Sequence, residues 1–244
     1  MTRKKAVLIT GASRGIGAEI ARKCTDPTVR DETKPLVLIT ARSVDRLHEM
    51  EKESNGAMIA IPADITRADD RAQLVDRIGK ILYEQDADFH GLVHNAGVLR
   101  AKSFLKLTEE DWNVHYQTHL LGPAMLTQLL IPTFSSAGGH ILHISSMGGF
   151  QGSKKFPGLS AYSAIKGALS ILAECLSGEL MDRNIACNAL CLGAVQTEML
   201  KEAFPGLEVS TQPEDMGAWI SEFLWKGHRF FNGKILPVSL QDPG

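Results

Sequence analysis

The sequence is poor in cysteine, carries little net charge and has no long hydrophobic run near its start. Its four cysteines form neither a C-x-x-C pair nor a metal-ligand spacing with histidine. Cys187 and Cys191 lie in an apolar run, which predicts buried free thiols in a reducing compartment. The first apolar run, residues 6–10, is far too short for a secretory signal or a membrane span. We therefore expect a cytoplasmic protein.

The balance of charge argues against two classes of partner. A formal net charge of -2 over 244 residues gives no general attraction to nucleic acid or to an anionic membrane, so we expect neither. Hydrophobic residues at 44% and charged residues at 22% are typical of a globular protein. The length suits one large domain, residues 1–244, better than two.

Short hydrophobic runs alternate with longer helical patterns along the chain. Strands are predicted at residues 6–10, 36–40, 57–61, 91–95, 139–145, 185–190 and 234–238. Helices are predicted near residues 15–25, 44–53, 67–83, 108–131, 160–182 and 213–226, with Thr108 and Ser160 as N-caps of two of them. Because the strand runs are almost continuously hydrophobic, we expect burial on both faces. The alternation predicts an α/β fold with a parallel sheet and right-handed crossovers.

A glycine-rich loop, "TGASRGIG", follows the first predicted strand. Gly11 permits a sharp turn, and Gly15 and Gly17 permit close backbone approach where the first helix begins. Free amides and the helix dipole favour a phosphate at such a helix start. An ordinary tight turn would also explain the glycines. The position between the first strand and the first helix favours a dinucleotide site.

The end of the second predicted strand bears on which dinucleotide would bind. An NAD site needs a carboxylate there for the ribose 2′-hydroxyl, whereas a 2′-phosphate needs cations. The stretch "VLITARSVDR" has no acid before Asp45 but contains Arg42 and Ser43. Together with Arg14 of the glycine loop, they predict a preference for NADP(H). The alternative is that Arg42 is only solvated.

Five motifs in order resemble the short-chain dehydrogenase/reductase family. They are "TGASRGIG" (10–17), "ADIT" (63–66), "HNAG" (94–97), "HISSMGG" (143–149) and "YSAIK" (162–166). The resemblance covers residues 6 to about 200. It implies a single Rossmann-type, doubly wound domain whose seven-stranded parallel sheet has the order 3-2-1-4-5-6-7. It also implies an oxidoreductase that interconverts a carbonyl and a secondary alcohol by hydride transfer.

The resemblance assigns catalytic roles to three residues. Tyr162 would be the general acid/base, and Lys166, on the same helix face, would tune it and hold the nicotinamide ribose. Because a nearby ammonium favours phenolate, we expect Lys166 to lower the phenol pKa from its ordinary value of about 10. Ser146 would hydrogen-bond the substrate oxygen, while Ser145 is the alternative, expected to be only structural.

The resemblance also implies contacts with the cofactor. Asp64 would accept from the adenine amine, and residues 95–97 would line a ribose. Val195 would meet the carboxamide, and Thr197 would meet the nicotinamide or the pyrophosphate. A simple turn is the alternative for Asp64 and for residues 95–97. The full set of expected cofactor residues is Gly11, Ser13, Arg14, Gly15, Ile16, Gly17, Arg42, Ser43, Asp64, Ile65, Asn95, Ala96, Gly97, Tyr162, Lys166, Gly193, Val195 and Thr197.

The chain departs from the family pattern at His119, at Leu192 and in the long interval between Ser146 and Tyr162. His119 stands where the family commonly has an asparagine that relays protons through water, so it is either a relay with a pKa near neutrality or a filler between helix and sheet. His115 makes an H-x-x-x-H pair with it, but no third ligand is evident and we expect no metal site. Leu192 replaces a proline before Gly193, which puts the order of the cofactor loop in question.

Two segments are expected to border the substrate. Residues 197–215, here called the lid segment, form either a mobile lid over an apolar substrate or a helix pair packed on the domain. The long interval between Ser146 and Tyr162 carries Lys154 and Lys155, which either attract an anionic substrate or are only solvated. The general pattern resembles 3-oxoacyl reductases, and the inserted loop 25–35 slightly resembles sepiapterin-type reductases. A small-molecule carbonyl or alcohol is therefore the expected substrate, either a 3-oxoacyl thioester or a pterin or other small ketone.

An alternative function is an NADP(H)-binding sensor or scaffold without turnover. His119 and Leu192 motivate it, whereas the intact set of Ser146, Tyr162 and Lys166 argues against it. The family resemblance further implies a homodimer or homotetramer paired through the long helices 108–131 and 160–182.

Overall fold

A parallel sheet of seven strands forms the centre of the structure, a computed structural model that describes residues 3–26 and 35–239. The strands are β1 (Lys4–Thr10), β2 (Leu36–Thr40), β3 (Met58–Ala60), β4 (Ala87–His94), β5 (Gly139–Ser146), β6 (Ile185–Leu192) and β7 (Ile235–Val238). Their order is β3-β2-β1-β4-β5-β6-β7. Both the doubly wound α/β class and the expected strand order are confirmed.

Helices cover both faces of this sheet. They are α1 (Gly15–Thr25), α2 (Val44–Glu53), α3 (Ala68–Glu84), α4 (Glu109–Tyr116), α5 (Gly122–Leu130), α6 (Ser160–Glu179), α7 (Glu198–Ala203) and α8 (Pro213–Lys226). Alternate residues of β1 enter different cores: Val7 and Ile9 pack with α1 and α8, whereas Leu8 packs with α3 and α5. This two-sided burial explains why the strand sequences are almost continuously hydrophobic.

The helix starts test two predicted N-caps. Thr108 caps α4 in a capping box, because its hydroxyl accepts from the Asp111 amide at 3.3 Å and the Asp111 carboxylate accepts from the Thr108 amide at 3.0 Å. The prediction for Ser160 was wrong. Leu159 occupies the N-cap of α6, and the Ser160 hydroxyl is buried without a hydrogen-bond partner in the described part of the chain. Most of the predicted loop 25–35, residues 27–34, lies outside the described residues.

The helix predicted over residues 108–131 is interrupted at its middle. The π-helical segment Gln117–Leu121 joins α4 to α5, and the Gly122 amide donates to the Gln117 carbonyl. A Cβ on Gly122 would lie 2.8 Å from that carbonyl oxygen and 2.9 Å from the carbonyl oxygen of Ile65, so glycine permits this close approach. Such wide turns are frequently found at functional sites, and this one contains His119.

The structure bears on two questions raised by the sequence: whether the cysteines are free thiols, and whether a helix could span a membrane. Cys187 and Cys191 are buried free thiols, as predicted, and burial raises the pKa of Cys187 to about 12. Among the helices of residues 3–26 and 35–239, none has the length and apolar character needed to cross a membrane.

Candidate active site

A cleft with a volume of about 1490 Å³ opens at the carboxyl ends of the parallel strands. This edge of a doubly wound sheet is the usual place for a ligand. All but one of the predicted site residues line the cleft, and these are Gly11, Ser13, Arg14, Gly15, Ile16, Arg42, Ser43, Asp64, Ile65, Asn95, Ala96, Gly97, His119, Ser146, Tyr162, Lys166, Gly193, Val195 and Thr197. The exception is Gly17.

Three positions of the glycine loop favour glycine: Gly15 has a φ of +58°, and side chains at Gly11 and Gly17 would clash with neighbouring atoms. Gly11 has a φ of +66°, and a Cβ there would lie 2.6 Å from the Cα of Ala96. A Cβ on Gly17 would overlap the Gly11 carbonyl and the Asn95 amide group. Gly17 therefore packs beneath the loop as a support. The loop's backbone, at the start of α1, faces the cleft.

The turn after β4 is tied to the glycine loop by hydrogen bonds. The Asn95 side-chain amide donates to the carbonyls of Thr10 and Gly11 at 3.1 and 3.2 Å. The Thr10 hydroxyl in turn accepts from the backbone amides of Asn95 and Ala96 at 3.0 and 3.1 Å. Sequence reasoning missed Thr10, whose only signal was a hydroxyl at the end of a buried strand.

The Asp64 side chain takes part in a local turn with Thr66, which was the alternative to a contact with the cofactor. Its Oδ1 accepts from the amide and the hydroxyl of Thr66, at 3.0 and 2.7 Å. The same residue still lines the cleft. Its expected contact with adenine stays a prediction.

Tyr162, Lys166 and Ser146 converge where α6 meets the end of β5. The Lys166 amine lies 5.7 Å from the centroid of the Tyr162 ring and donates to the Ile144 carbonyl at 2.7 Å. The Ser146 hydroxyl hydrogen-bonds with the Tyr162 side chain. Ser145 instead turns inward and donates to the Lys166 carbonyl at 2.8 Å. Ser145 therefore holds α6 against β5, while Ser146 faces the cleft.

The pKa of the phenol differs from the sequence prediction. Burial raises the pKa of Tyr162 to about 12, and the hydrogen bond with Ser146 offsets only part of that rise. The expectation that Lys166 lowers the phenol pKa was wrong for this structure, because desolvation dominates. Burial also lowers the pKa of Lys166 to about 7. At neutral pH the phenol is therefore fully protonated.

His119 lies in the wall of the cleft against Tyr162. Its Nε2 donates to the Val98 carbonyl at 2.7 Å, and its ring meets the Tyr162 ring edge to face with centroids 5.4 Å apart. His115 stacks on the other side at 5.7 Å. Burial and the charge of Lys166 hold the pKa of His119 well below its usual range, so the ring is neutral. His119 thus anchors the segment after β4, and its relay role stays a prediction.

Four charged side chains meet beside the glycine loop. Arg14 donates to Glu198 at 2.7 Å and to Glu202 at 3.1 Å. Arg46 lies 3.5 Å from the same oxygen of Glu198. Arg42 is exposed and has no ion-pair partner within residues 3–26 and 35–239. Sequence reasoning missed Arg46 and Glu198 because their partners are far apart in the chain.

The lid segment covers the open side of the cleft. Thr197 caps the short helix α7 by accepting from the Leu200 amide at 3.2 Å. The chain just before α7 is held to the end of the loop that follows it, since the Gln196 amide donates to the Thr211 carbonyl at 2.9 Å. Its apolar side chains that line the cleft are Met199, Leu200, Phe204, Leu207 and Val209. The segment therefore combines a short helix and a loop over the site before α8 begins.

A Rossmann-type sheet with a tyrosine and a lysine one turn apart in its cleft defines a class of oxidoreductases. A sequence model of the family described as short chain dehydrogenase matches residues 5–208. The chain belongs to this family and is an oxidoreductase that acts on alcohol or carbonyl groups.

Known relatives agree with this assignment. The 3-oxoacyl-[acyl-carrier-protein] reductase of Thermotoga maritima is 29% identical over 199 residues, which span 81% of this chain and 77% of the relative. A 7α-hydroxysteroid dehydrogenase solved with NADH and 7-oxo glycochenodeoxycholic acid is 25% identical, with a TM-score of 0.83 and coverage of 96% of this chain and 92% of the neighbour. A short chain dehydrogenase from Burkholderia cenocepacia, solved with NADP, is 24% identical, with a TM-score of 0.83 and 98% coverage of each chain.

Proposed function

We propose that this protein is an NADP(H)-dependent reductase that converts a ketone into a secondary alcohol, with Tyr162 as the proton donor. The observation that carries this proposal is the buried phenol in the cleft, with Ser146 beside it and Lys166 one turn later. Because burial raises the pKa of Tyr162 to about 12, the phenol carries its proton at neutral pH. That state suits reduction, in which the substrate oxygen must receive a proton.

The side chains of the cleft have separate tasks in this reaction. NADPH, when bound, supplies the hydride. The Ser146 hydroxyl holds the carbonyl oxygen and the Tyr162 hydroxyl transfers its proton to that oxygen. Lys166 positions the phenol from one turn along α6 and would hold a ribose hydroxyl of the coenzyme. Leu200 and Phe204 of the lid segment give the cleft part of its apolar lining.

The cleft fits a dinucleotide with a 2′-phosphate. Because Gly11 has no side chain, the loop packs closely against Ala96, and its backbone at the start of α1 is accessible to a pyrophosphate. Arg42 and Ser43 follow β2, where a 2′-phosphate would lie, and no acid stands between β2 and α2. These residues support NADP(H) over NAD(H).

The apolar side chains of the lid segment support a substrate with an apolar body. Phe156 and Leu159, from the long loop before α6, also line the cleft. Relatives named 3-oxoacyl reductases support a 3-oxoacyl thioester, and a pterin or another small ketone is the competing class. The test is NADPH oxidation against 3-oxoacyl thioesters, diketones and pterins. No oxidation with any of them, despite tight NADPH binding, would contradict the reductase and support a sensor.

Association through the helices beside the site is part of the proposal. Leu129 of α5 and Ile171 of α6 are 42% and 55% exposed. Apolar side chains exposed on these two helices support a homodimer or homotetramer that buries them.

Coenzyme choice gives a first quantitative prediction. We expect Arg42→Ala to weaken NADPH binding by roughly ten- to hundred-fold, because a charge-assisted hydrogen bond to the 2′-phosphate is lost. NADH binding should stay within about two-fold, which would shrink the preference for NADPH. Fluorescence titration with both coenzymes measures this. Arg77→Ala, on the exposed face of α3, is the matched control. Equal affinity of the parent protein for both coenzymes would contradict the proposal.

A pair of substitutions tests the relay role of His119. We expect His119→Asn to retain turnover within about five-fold, because asparagine can still hydrogen-bond water. His119→Phe keeps the ring packing against Tyr162 but has no nitrogen, so its kcat should fall by roughly ten- to hundred-fold. Steady-state kinetics and urea unfolding of both variants separate lost chemistry from lost stability. A fully active His119→Phe would mean that His119 only fills space.

A further inference from the structure

Arg14 connects the glycine loop to the lid segment. It lies at the N-cap of α1 and donates from Nη1 to carboxylates of Glu198 and Glu202, at 2.7 and 3.1 Å. The two glutamates are four residues apart on α7, so they present their carboxylates on one helix face. The loop and the lid segment are therefore joined by an ion-pair cluster that spans the mouth of the cleft.

Arg46 of α2 also contacts this ion-pair cluster. This residue lies in the first turn of α2, and its Nη1 is 3.5 Å from the Glu198 oxygen that Arg14 binds. One carboxylate oxygen thus lies between guanidiniums from two different elements. We call these ion pairs of Arg14 and Arg46 with Glu198 and Glu202 the lid latch.

The lid latch uses the same cations that an incoming phosphate would meet. Arg14, Arg42, Ser43 and Arg46 all line the coenzyme end of the cleft. A phosphate and a carboxylate bind guanidinium through the same donor geometry, and a phosphate carries more charge. The Glu198 carboxylate therefore holds a position that a ribose 2′-phosphate would compete for.

We infer that Glu198 is a specificity-determining residue, whose carboxylate competes with the coenzyme 2′-phosphate for Arg14 and Arg46 and thereby couples phosphate binding to release of α7. This inference rests on the proposed NADP(H) preference. A nucleotide without a 2′-phosphate leaves the lid latch closed, whereas one that carries it draws both guanidiniums away from α7. The coupling is reciprocal, so opening the latch by mutation must tighten binding of the 2′-phosphate.

The energies involved are modest, because all four side chains are substantially exposed. The exposed fractions are 41% for Arg14, 53% for Glu198, 65% for Glu202 and 49% for Arg46. Exposed ion pairs are weak one at a time, and a cluster is stronger than an isolated pair. The expected change in affinity is therefore several-fold.

Two adenosine phosphates that differ at the 2′ position test this coupling without turnover. The first measurement is isothermal titration of 2′,5′-ADP and 5′-AMP into the parent protein and into Glu198→Gln. We expect the variant to bind 2′,5′-ADP about three- to ten-fold more tightly than the parent and to bind 5′-AMP equally. Glu208→Gln is the matched control, because Glu208 is an exposed glutamate of the same lid segment outside the lid latch.

Amide hydrogen exchange of residues 198–203 is the second measurement. We expect 2′,5′-ADP, but not 5′-AMP, to speed exchange there in the parent protein, and Glu198→Gln to exchange fast in every state. If Glu198→Gln binds 2′,5′-ADP no more tightly than Glu208→Gln, the inference is overturned while a parent preference for 2′,5′-ADP leaves the proposed function standing. If the parent binds both nucleotides equally and only Glu198→Gln prefers 2′,5′-ADP, the lid latch is supported and the NADP(H) preference is wrong. If neither protein distinguishes the nucleotides, both are wrong.

Discussion

Replacing Tyr162 by phenylalanine is expected to lower kcat for ketone reduction by roughly 10²- to 10⁴-fold, the usual contribution of a general acid. The variant keeps the ring that packs against His115 and His119 at 5.9 and 5.4 Å, so the walls of the cleft should persist. It loses only the hydroxyl that carries the transferable proton. NADPH binding should remain within about two-fold of the parent protein. Steady-state kinetics and fluorescence titration on the same preparation measure both quantities.

The control for this variant is Tyr83→Phe, which removes a phenol hydroxyl from a side chain that is 86% exposed on α3. Its kinetics should equal those of the parent. Turnover retained by Tyr162→Phe would refute Tyr162 as the proton donor, whatever its effect on stability.

The fold is expected to lose stability steeply between about pH 6.5 and pH 4. Burial lowers the pKa of His90 to about 4 and the pKa values of His140 and His143 to about 3. Each ring is neutral in the folded chain but titrates at about 6.5 when unfolded. Their contribution is therefore present above about pH 6.5 and is lost as the pH falls toward the folded pKa values. At pH 5 each of the three costs about 2 kcal/mol, or about 6 kcal/mol together, against the 5–15 kcal/mol typical of a whole protein.

Urea unfolding at pH 7.5 and pH 5.0 measures this loss. His143→Leu should remove about 2 kcal/mol of the difference, because that ring is fully buried and neither nitrogen has a hydrogen-bond partner in the described part of the chain. His48→Gln is the control, since His48 lies on the surface of α2, where it pairs with Glu51. Equal unfolding free energies at the two pH values would show that the buried imidazoles do not govern acid stability.

Much of the site was predictable because its motifs follow strand ends. Hydrophobic runs located the strands, and the carboxyl ends of parallel strands lie at one edge of a sheet. The glycine loop after β1, Asn95 after β4 and Ser146 at the end of β5 therefore had to meet. The four-residue spacing of Tyr162 and Lys166 likewise placed both on one face of α6.

The features that the sequence did not reveal depend on tertiary surroundings. The spacing of Tyr162 and Lys166 showed that the two groups are neighbours, but the direction of the phenol pKa depends on how deeply other elements bury it. The partners of Arg14, at 198 and 202, are more than 180 residues away, so no local pattern could indicate the lid latch. Ser160 lies among helix-starting signals, yet Leu159 takes the N-cap position and Ser160 is the first residue of the helix.

The π segment Gln117–Leu121 accommodates one extra residue between α4 and α5 without changing their relative rotational phase. Each residue of an α-helix advances the side chain by about 100° around the axis, and a π turn inserts one residue without adding a turn. Leu126 and Leu130 of α5 are fully buried against the sheet, while His119 faces the cleft. Deleting a single residue between 117 and 121 would let α4 and α5 join as a regular α-helix in the same phase, so α5 would keep its packing on the sheet while the wide turn that carries His119 would be lost. The extra residue of this short segment therefore shapes the wall of the cleft without changing how α5 packs on the sheet.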